Sequence, residues 1–525
     1  MKKPKMSPGY LFSWPLTRYS NHIAIKYHDI QRTYGEIESE INRLCNGLFS
    51  LGLKPRQKVA ILLRNCLEAV IAPFAVTRAG MCQVSLNFRH SAREHASILD
   101  DAEVDAIIVG EEFINRLDPL LPAIKSLKQV IIVGQSGQGY PTYQELLVGQ
   151  SDTRPDVNVD YDNDIVRIQY TSGTSGKPKG VVWTFRIYDN VLLNTLVNMD
   201  QTILPTDVNL NCGPLSHAAG LMLTTYYIKG SVNVILPGFD EEAVLKTIAR
   251  ERVTSLLLVP TMFYRLLLFP GLKDYDLSSI RRIWYGTAPM SVERLKEGIR
   301  LFGPVFRQNY GMTEIPQPIL FLGPEDHVVD GTDMQTRRLS SAGKPALGVE
   351  IKIADEEGEA AETGEIGEIL IRSDKLMREY WKQPDETARV FKDGWFHSRD
   401  MAKKDEDGYI YIVDRKSDMI ITGGFNVYPR EVEEVIRSCP GVTETVVIGI
   451  PDDVWGEAIK AFVILNQAAD LTEADIISHC ADRLAGYKKP KSVDFVTDIP
   501  KTEIGKFDRK ILKKPFWEKS DRQVH

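Results

Sequence analysis

Short apolar runs alternate along this chain with longer stretches in which apolar residues recur every three or four positions. The runs at 23–27, 59–63, 105–110 and 130–134 read as strands, the last two ending on Gly110 and Gly134. Between them, 34–51 has helical spacing that stops at Gly52, and 67–78 is an apolar helix. Such alternation predicts strand–helix–strand units and α/β sheets covered on their faces. The rhythm resumes with a strand at 232–236, a helix at 241–250, a strand at 255–259, a helix after Pro260 and a strand at 280–286. From about 340 to 410 it gives way to short strands and acidic turns such as Asp355-Glu356-Glu357-Gly358, which predicts a β-rich subdomain. Beyond Asp414 a compact segment reads strand, helix at 429–438, strands at 444–450 and 458–465, helix at 473–484 and a lysine-rich tail. The expected architecture is a large N-terminal domain over 1–413, built of two α/β subdomains plus the β-rich one. A small α+β domain over 414–525 follows it.

Composition narrows the function. At 525 residues the chain exceeds one hydrophobic core. Its 43% hydrophobic and 26% charged content is that of an ordinary globular protein. A net charge of −7 argues against a nucleic-acid partner, though not against a local basic patch. Cys45, Cys66, Cys82, Cys212, Cys439 and Cys480 have neither zinc nor disulfide spacing, which points to a reducing, cytoplasmic setting. The N-terminal lysines precede no apolar core, and the apolar stretch 256–272 is broken by Pro260, Arg265 and Pro270. Neither a signal peptide nor integral membrane association is expected.

The densest chemistry lies between the strand-like 165–170 and a second strand starting at Val181. Tyr170-Thr171-Ser172-Gly173-Thr174-Ser175-Gly176-Lys177-Pro178-Lys179-Gly180 combines glycines, hydroxyls and two lysines with no acid. Backbone N–H groups, hydroxyl donors and ammonium charge suit a phosphate. The spacing is not that of a Walker A loop, because Gly173 and Gly176 are three apart and proline follows Lys177. Further candidates follow in order. Asn309-Tyr310-Gly311-Met312-Thr313-Glu314 offers an aromatic face, a hydroxyl and a hard oxygen ligand suited to Mg²⁺. Gly286-Thr287-Ala288-Pro289 is a turn of small residues at a strand end, and His217 stands alone among Ala218, Ala219 and Gly220. Asp400 closes Gly394-Trp395-Phe396-His397-Ser398-Arg399, a carboxylate able to accept two ribose hydroxyls. Trp183 and Phe185 either narrow a tunnel or fill core, core being the plainer reading.

Taken together and in this order, these motifs resemble the adenylate-forming superfamily of acyl-CoA synthetases, aryl-CoA ligases, luciferases and peptide-synthetase adenylation domains, over nearly the whole chain. The resemblance implies that Thr171, Ser172, Gly173, Thr174, Ser175, Gly176 and Lys177 form the ATP phosphate loop. It implies that Gly286, Thr287 and Ala288 form one wall of the adenine and acyl pockets and that Asn309 and Tyr310 hold adenine, with Gly311 also on the nucleotide, Asp400 on ribose and Arg415 on ribose or phosphate. Thr313 would face the α-phosphate, Glu314 hold the metal, and Lys506 be the adenylation lysine. His217 and Tyr285 would line the acyl pocket, and Gly423, Gly424 and Phe425 the thiol side. Asp414 would be the hinge of a mobile C-terminal domain. The relatives' usual Thr-Gly before the ribose carboxylate is here Ser398-Arg399, and their Thr-His after the phosphate loop is here Thr184-Phe185. The implied activity is an ATP- and Mg²⁺-dependent ligation of a small carboxylic acid, medium- or long-chain fatty or aromatic, to coenzyme A through an acyl-AMP. Loading of a carrier protein's phosphopantetheine thiol is the alternative, and a homodimer stays open as the assembly.

Overall fold

A computed structural model describes residues 7–135, 139–171, 178–199, 202–415, 418–423, 425–452, 454–466, 469–501 and 507–518. The strand–helix alternation is present, and helix Tyr34–Ser50 shows how local chemistry produces it. The Thr33 hydroxyl accepts from the Glu36 N–H while the Glu36 carboxylate accepts from the Thr33 N–H, a reciprocal cap. Ile37, Ile41, Leu44, Cys45 and Leu48 are all buried, so the helical spacing becomes one face packed inward. Strand Ala106–Gly110 is buried at every position, as a parallel strand covered on both faces must be.

The chain divides into two compact units. The first is Met1–Leu339 with Pro345–Glu350 and Arg372–Gly394; the second is Ser340–Lys344 with Ile351–Ile371 and Trp395–His525. The first unit holds two sheets. One runs Glu379–Tyr380, Lys179–Thr184, Ile165–Thr171, Cys82–Ser85, Lys58–Leu62, Ala106–Gly110, Gln129–Val133. Its five strands from Ile165–Thr171 onward are parallel, and Lys179–Thr184 turns back antiparallel to them. The other places Leu320–Leu322, Phe306–Tyr310, Arg282–Gly286, Ser255–Leu258, Val208–Asn211, Val232–Ile235, Ile23–Tyr27 and Ile30–Thr33 side by side. Helix Ala218–Ile228 joins Val208–Asn211 to its parallel neighbour Val232–Ile235, so it runs back against the strands and begins beside their C-terminal ends. Loops at those ends carry His217, Thr287 and Gly311, where open α/β sheets bind their ligands.

In the second unit, Gly367–Arg372, Trp395–Lys404 and Ile410–Arg415 pair antiparallel. A long hairpin of Val442–Asp452 and Gly456–Leu465 packs with helices Pro429–Arg437 and Glu473–Ala481 around Ile420, Val432, Ile436, Val447 and Ile476. This grouping differs from a division at 413/414. Strand Ile410–Arg415 and helix Pro429–Arg437 share one unit because Arg430 joins them. Its N–H donates to Asp414 Oδ2 at 3.0 Å and its Nη1 to the Ile412 carbonyl at 2.7 Å. Among the described residues no helix is long and apolar enough to cross a membrane.

Candidate active site

The hydroxyl- and glycine-rich stretch joins two antiparallel strands, with Tyr170 opposite Gly180 and Thr171 opposite Lys179. Ser172, Gly173, Thr174, Ser175, Gly176 and Lys177 lie outside the described residues. Lys179, at the edge of the stretch, is buried, paired with Glu386 and placed 5.2 Å from the centre of the Tyr380 ring. It is therefore committed to structure.

Asn309 and Tyr310 end strand Phe306–Tyr310, and Asn309 lies beside Gly286 on the neighbouring strand. The two backbones nearly touch: a Cβ on Gly286 would sit 2.1 Å from the Asn309 carbonyl oxygen. Gly311 is equally constrained, since its Cβ would sit 2.6 Å from the Gln317 nitrogen. Thr287 follows with φ 65°, a left-handed conformation seldom taken by a β-branched residue. Asn309 is 2% exposed, and its Oδ1 has no hydrogen-bond partner among the described residues. A buried amide oxygen without a donor costs about 1–3 kcal/mol, and the described residues supply none to this atom.

The following loop is fastened by Trp183 and by two residues the sequence gave no reason to choose, Met377 and Tyr380. Trp183 Nε1 donates to the Thr313 carbonyl at 3.2 Å, Met377 N–H to the Glu314 carbonyl at 2.7 Å, and Tyr380 OH to Glu314 Oε1 at 2.8 Å. The Thr313 and Glu314 side chains stay half-exposed. Lys375, 1% exposed, donates to Asn194 Oδ1 at 2.8 Å and to the Pro318 carbonyl, and burial pushes its ammonium down to about 7. The sole sequence signal for Tyr380 and Lys375 is their sequence distance from the motif they support, which no short pattern reports.

His217 caps helix Ala218–Ile228, and its Nδ1 shares a 2.8 Å hydrogen bond with Ser216 Oγ. Burial, with the nearby His90 and Arg89, pushes the imidazole down to about 4, so it is neutral at ordinary pH. Gly220 must be glycine, because a Cβ would lie 2.0 Å from the Leu215 carbonyl oxygen. Tyr285 is not brought to His217. Its hydroxyl meets His327 Nε2 at 2.9 Å and Gln308 Oε1 at 3.2 Å, within a core that includes Phe306 and Leu295. Alternation along strand Arg282–Gly286 sends its neighbour Trp284, rather than Tyr285, toward Met222 and Tyr226 of the His217 helix. Phe185 is core, 5.9 Å from Tyr161, and Trp183 stacks on Tyr188 at 6.3 Å.

In the second unit, Asp400 and Arg415 are partners on adjacent antiparallel strands, with Arg415 Nε 3.3 Å from Asp400 Oδ1. Arg399 takes φ 63°, a left-handed conformation that glycine adopts more readily. Asp414 is buried; its Oδ1 accepts from the Arg415 N–H at 2.8 Å, and burial pushes its carboxyl up to about 6 against the pull of Arg509. Gly423 has φ 60°, and a Cβ there would strike the Trp455 ring at 2.4 Å. Phe425, 52% exposed, stacks on Tyr487 with centroids 4.5 Å apart. Gly424 and Lys506 lie outside the described residues.

Comparison with known proteins accords with this geometry. The AMP-binding enzyme family profile matches residues 12–381, and that of the AMP-binding enzyme C-terminal domain matches 431–506. The medium/long-chain-fatty-acid–CoA ligase FadD8 of Mycobacterium tuberculosis is 36% identical, covering 98% of this chain and 91% of its own. Feruloyl-CoA synthase of an Amycolatopsis species is 35% identical, over 96% of this chain and 99% of its own. The crystal structure of the anthranilate CoA ligase AuaEII in complex with anthranoyl-AMP superposes with a TM-score of 0.89 at 28% identity, covering 98% of each chain. The chain belongs to the AMP-binding enzyme family.

Proposed function

We infer that the protein is an ATP-dependent carboxylic acid:CoA ligase. A carboxylate oxygen attacks the α-phosphorus of ATP and pyrophosphate leaves, giving an acyl-AMP. The CoA sulfur then attacks the acyl carbon, its proton is lost to solvent, and AMP leaves. The observation that carries the nucleotide reading is the buried Asn309 Oδ1, without a hydrogen-bond partner among the described residues, on a shelf too narrow for any side chain at Gly286. The exocyclic amino group of adenine supplies the donor that this oxygen lacks, and the Tyr310 ring supplies a stacking face.

Joining two anions needs compensating positive charge. Lys506, Lys177 and the N–H groups of 172–176 are assigned to it, with Thr313 donating to the α-phosphate. Glu314 fits a Mg²⁺ ligand: one half-exposed carboxylate beside the phosphates suffices for an ion that takes one or two carboxylates and completes its shell with water and phosphate oxygens. A Mg²⁺ held by Glu314 would supply positive charge against the phosphates. Tyr380 orients the carboxylate through Oε1. Asp400 and Arg415 are assigned to the ribose, the 423–425 turn to the thiol acceptor, and Asp414 to the hinge between half-reactions. All six cysteines are free, in keeping with a reducing, cytoplasmic location.

The test is carboxylate-dependent exchange of labelled pyrophosphate into ATP over a panel of acids, followed by thioester formation with CoA and, separately, with a phosphopantetheinyl carrier protein. Label from the ATP α-position in an acyl adduct supports the reading. Release of ADP, or no adduct with any acid, overturns it.

A further inference from the structure

The short strand Glu379–Tyr380 forms the edge of its sheet and pairs antiparallel with Lys179–Thr184, Tyr380 standing opposite Val181. Alternation therefore puts the Tyr380 side chain on the same face as Lys179 and Trp183, which flank Val181 two residues to either side. Both ends of that face lead to the loop that follows Tyr310. Trp183 reaches it directly, through Nε1 and the Thr313 carbonyl. Lys179 reaches it through one intervening side chain. Its ammonium lies 5.2 Å from the centre of the Tyr380 ring, and the hydroxyl of that ring donates to Glu314 Oε1 at 2.8 Å.

The backbone around Tyr380 is fixed. Arg378 N–H donates to the Val182 carbonyl at 2.9 Å, and Trp381 N–H to the Gly180 carbonyl at 2.7 Å. Tyr380's own N–H donates to Thr387 Oγ1 at 3.0 Å, in helix Pro384–Val390. What remains is the aim of the hydroxyl, which turns with the ring. The Lys179 ammonium opposes that turning, because a cation within about 6 Å of a ring centre is drawn to the π face.

Lys179 is itself held. It is 7% exposed and paired with Glu386, in the first turn of the same helix, and Glu386 is also paired with Arg389. The hydrogen bond from Lys179 holds the Glu386 carboxyl below the usual carboxylate range. A buried ammonium needs a paired carboxylate, and Glu386 provides it.

We propose that Lys179 and Glu386 are positioning residues for the Glu314 carboxylate, acting through the Tyr380 ring and hydroxyl. Glu386 fixes the ammonium, the ammonium fixes the ring, and the hydroxyl fixes Oε1. Lys179 also stands opposite Thr171 at the base of the hydroxyl- and glycine-rich stretch, so the segments assigned to phosphate and to metal share one brace. Lys179 thus acts on the nucleotide without touching it. The inference rests on the acid:CoA ligase reading and deepens it by naming what holds the metal-side carboxylate.

The experiment is calorimetric ATP binding without acid, once with excess Mg²⁺ and once with EDTA, which gives the gain in affinity that Mg²⁺ confers. Wild type is compared with Tyr380→Phe, Lys179→Met and Glu386→Gln, and with Lys382→Met as a control for losing a nearby lysine charge. The first three variants should each shrink the Mg²⁺ gain about three- to fivefold, the worth of one hydrogen bond, with affinity in EDTA within about twofold of wild type. Lys179→Met combined with Tyr380→Phe should match Tyr380→Phe alone, because side chains acting in series do not add. Lys382→Met should leave the gain unchanged. If Lys179→Met does not fold, Glu386→Gln combined with Tyr380→Phe reads the same non-additivity from a half-exposed residue. A gain unmoved in folded Lys179→Met or Glu386→Gln, losses that multiply in the double variant, or an equal loss in Lys382→Met overturns the brace while leaving the ligase intact. A wild type that gains nothing from Mg²⁺ overturns Glu314 as its ligand, and the brace with it. Absence of pyrophosphate exchange with every acid overturns the ligase reading itself.

Discussion

Around Gly286 and Asn309 backbone presses on backbone; around Asp414 charged side chains press on one another. In the first region Gly286 and Gly311 admit no Cβ, and Trp183, Met377 and Tyr380 pin the next loop by directed hydrogen bonds. In the second, Asp414 sits near Arg430, Arg509 and Glu433, and the buried Glu433 is also paired with Arg437. Steric walls position a reacting group and do not respond to solution conditions. Charge networks hold with comparable strength but loosen when a proton is gained or lost. A shelf proposed to hold adenine benefits from the first design, and a segment proposed to change orientation between half-reactions from the second.

The largest effect expected is that of removing a charge. Lys506→Ala should lower carboxylate-dependent pyrophosphate exchange by about 10²–10³-fold, the scale for losing one electrostatic stabiliser of a transition state. Thioester formation from supplied acyl-AMP should persist, and equal loss in both reactions would break the assignment of Lys506 to adenylation alone. Next comes the wall: Gly286→Ala should cost about 1–3 kcal/mol of stability in urea titration, together with most of the activity. Gly238→Ala, where a Cβ would meet nothing within 4 Å, should stay within about 0.5 kcal/mol of wild type. If both variants behave alike, the shelf is softer than its geometry implies.

The two regions should also titrate in opposite senses. Folded Asp414 holds its proton up to about pH 6, whereas an exposed aspartate releases it near 3.8. Its contribution to stability is therefore full below about pH 4 and lost as pH rises to about 6. Lys375 has the reverse sign. The folded chain sheds its proton near 7, the unfolded chain near 10.5, so stability rises with pH across that window and is lost as pH falls toward 7. Either slope is at most about 1.4 kcal/mol per pH unit for one proton. Chemical denaturation across pH should show the acid slope vanish in Asp414→Asn and the alkaline slope vanish in Lys375→Met. The smallest effect belongs to Tyr380→Phe, which removes one hydrogen bond to Glu314. A loss of about 1 kcal/mol, or roughly fivefold in kcat with KM for the acid unchanged, is expected in steady-state kinetics. A change confined to thermal stability would make Tyr380 structural only.

Sequence alone determined the class of this molecule, because its signals are local. A 3.6-residue spacing ending at Gly52 becomes a helix wherever it lies, and a strand running into Gly286 becomes a parallel strand with a turn. The Asn309–Glu314 segment stood out for the same reason, its aromatic ring, hydroxyl and carboxylate being nearly consecutive. Tertiary structure alone decided which residues stand behind that segment. Tyr380 reaches Glu314 across 66 positions and Lys375 reaches Pro318 across 57, distances over which no periodicity is kept. It also decided which face of strand Arg282–Gly286 meets the His217 helix, turning Tyr285 into the core and Trp284 toward the helix. A strand's alternation is visible in sequence, but which side is covered by which helix depends on how the whole sheet is packed.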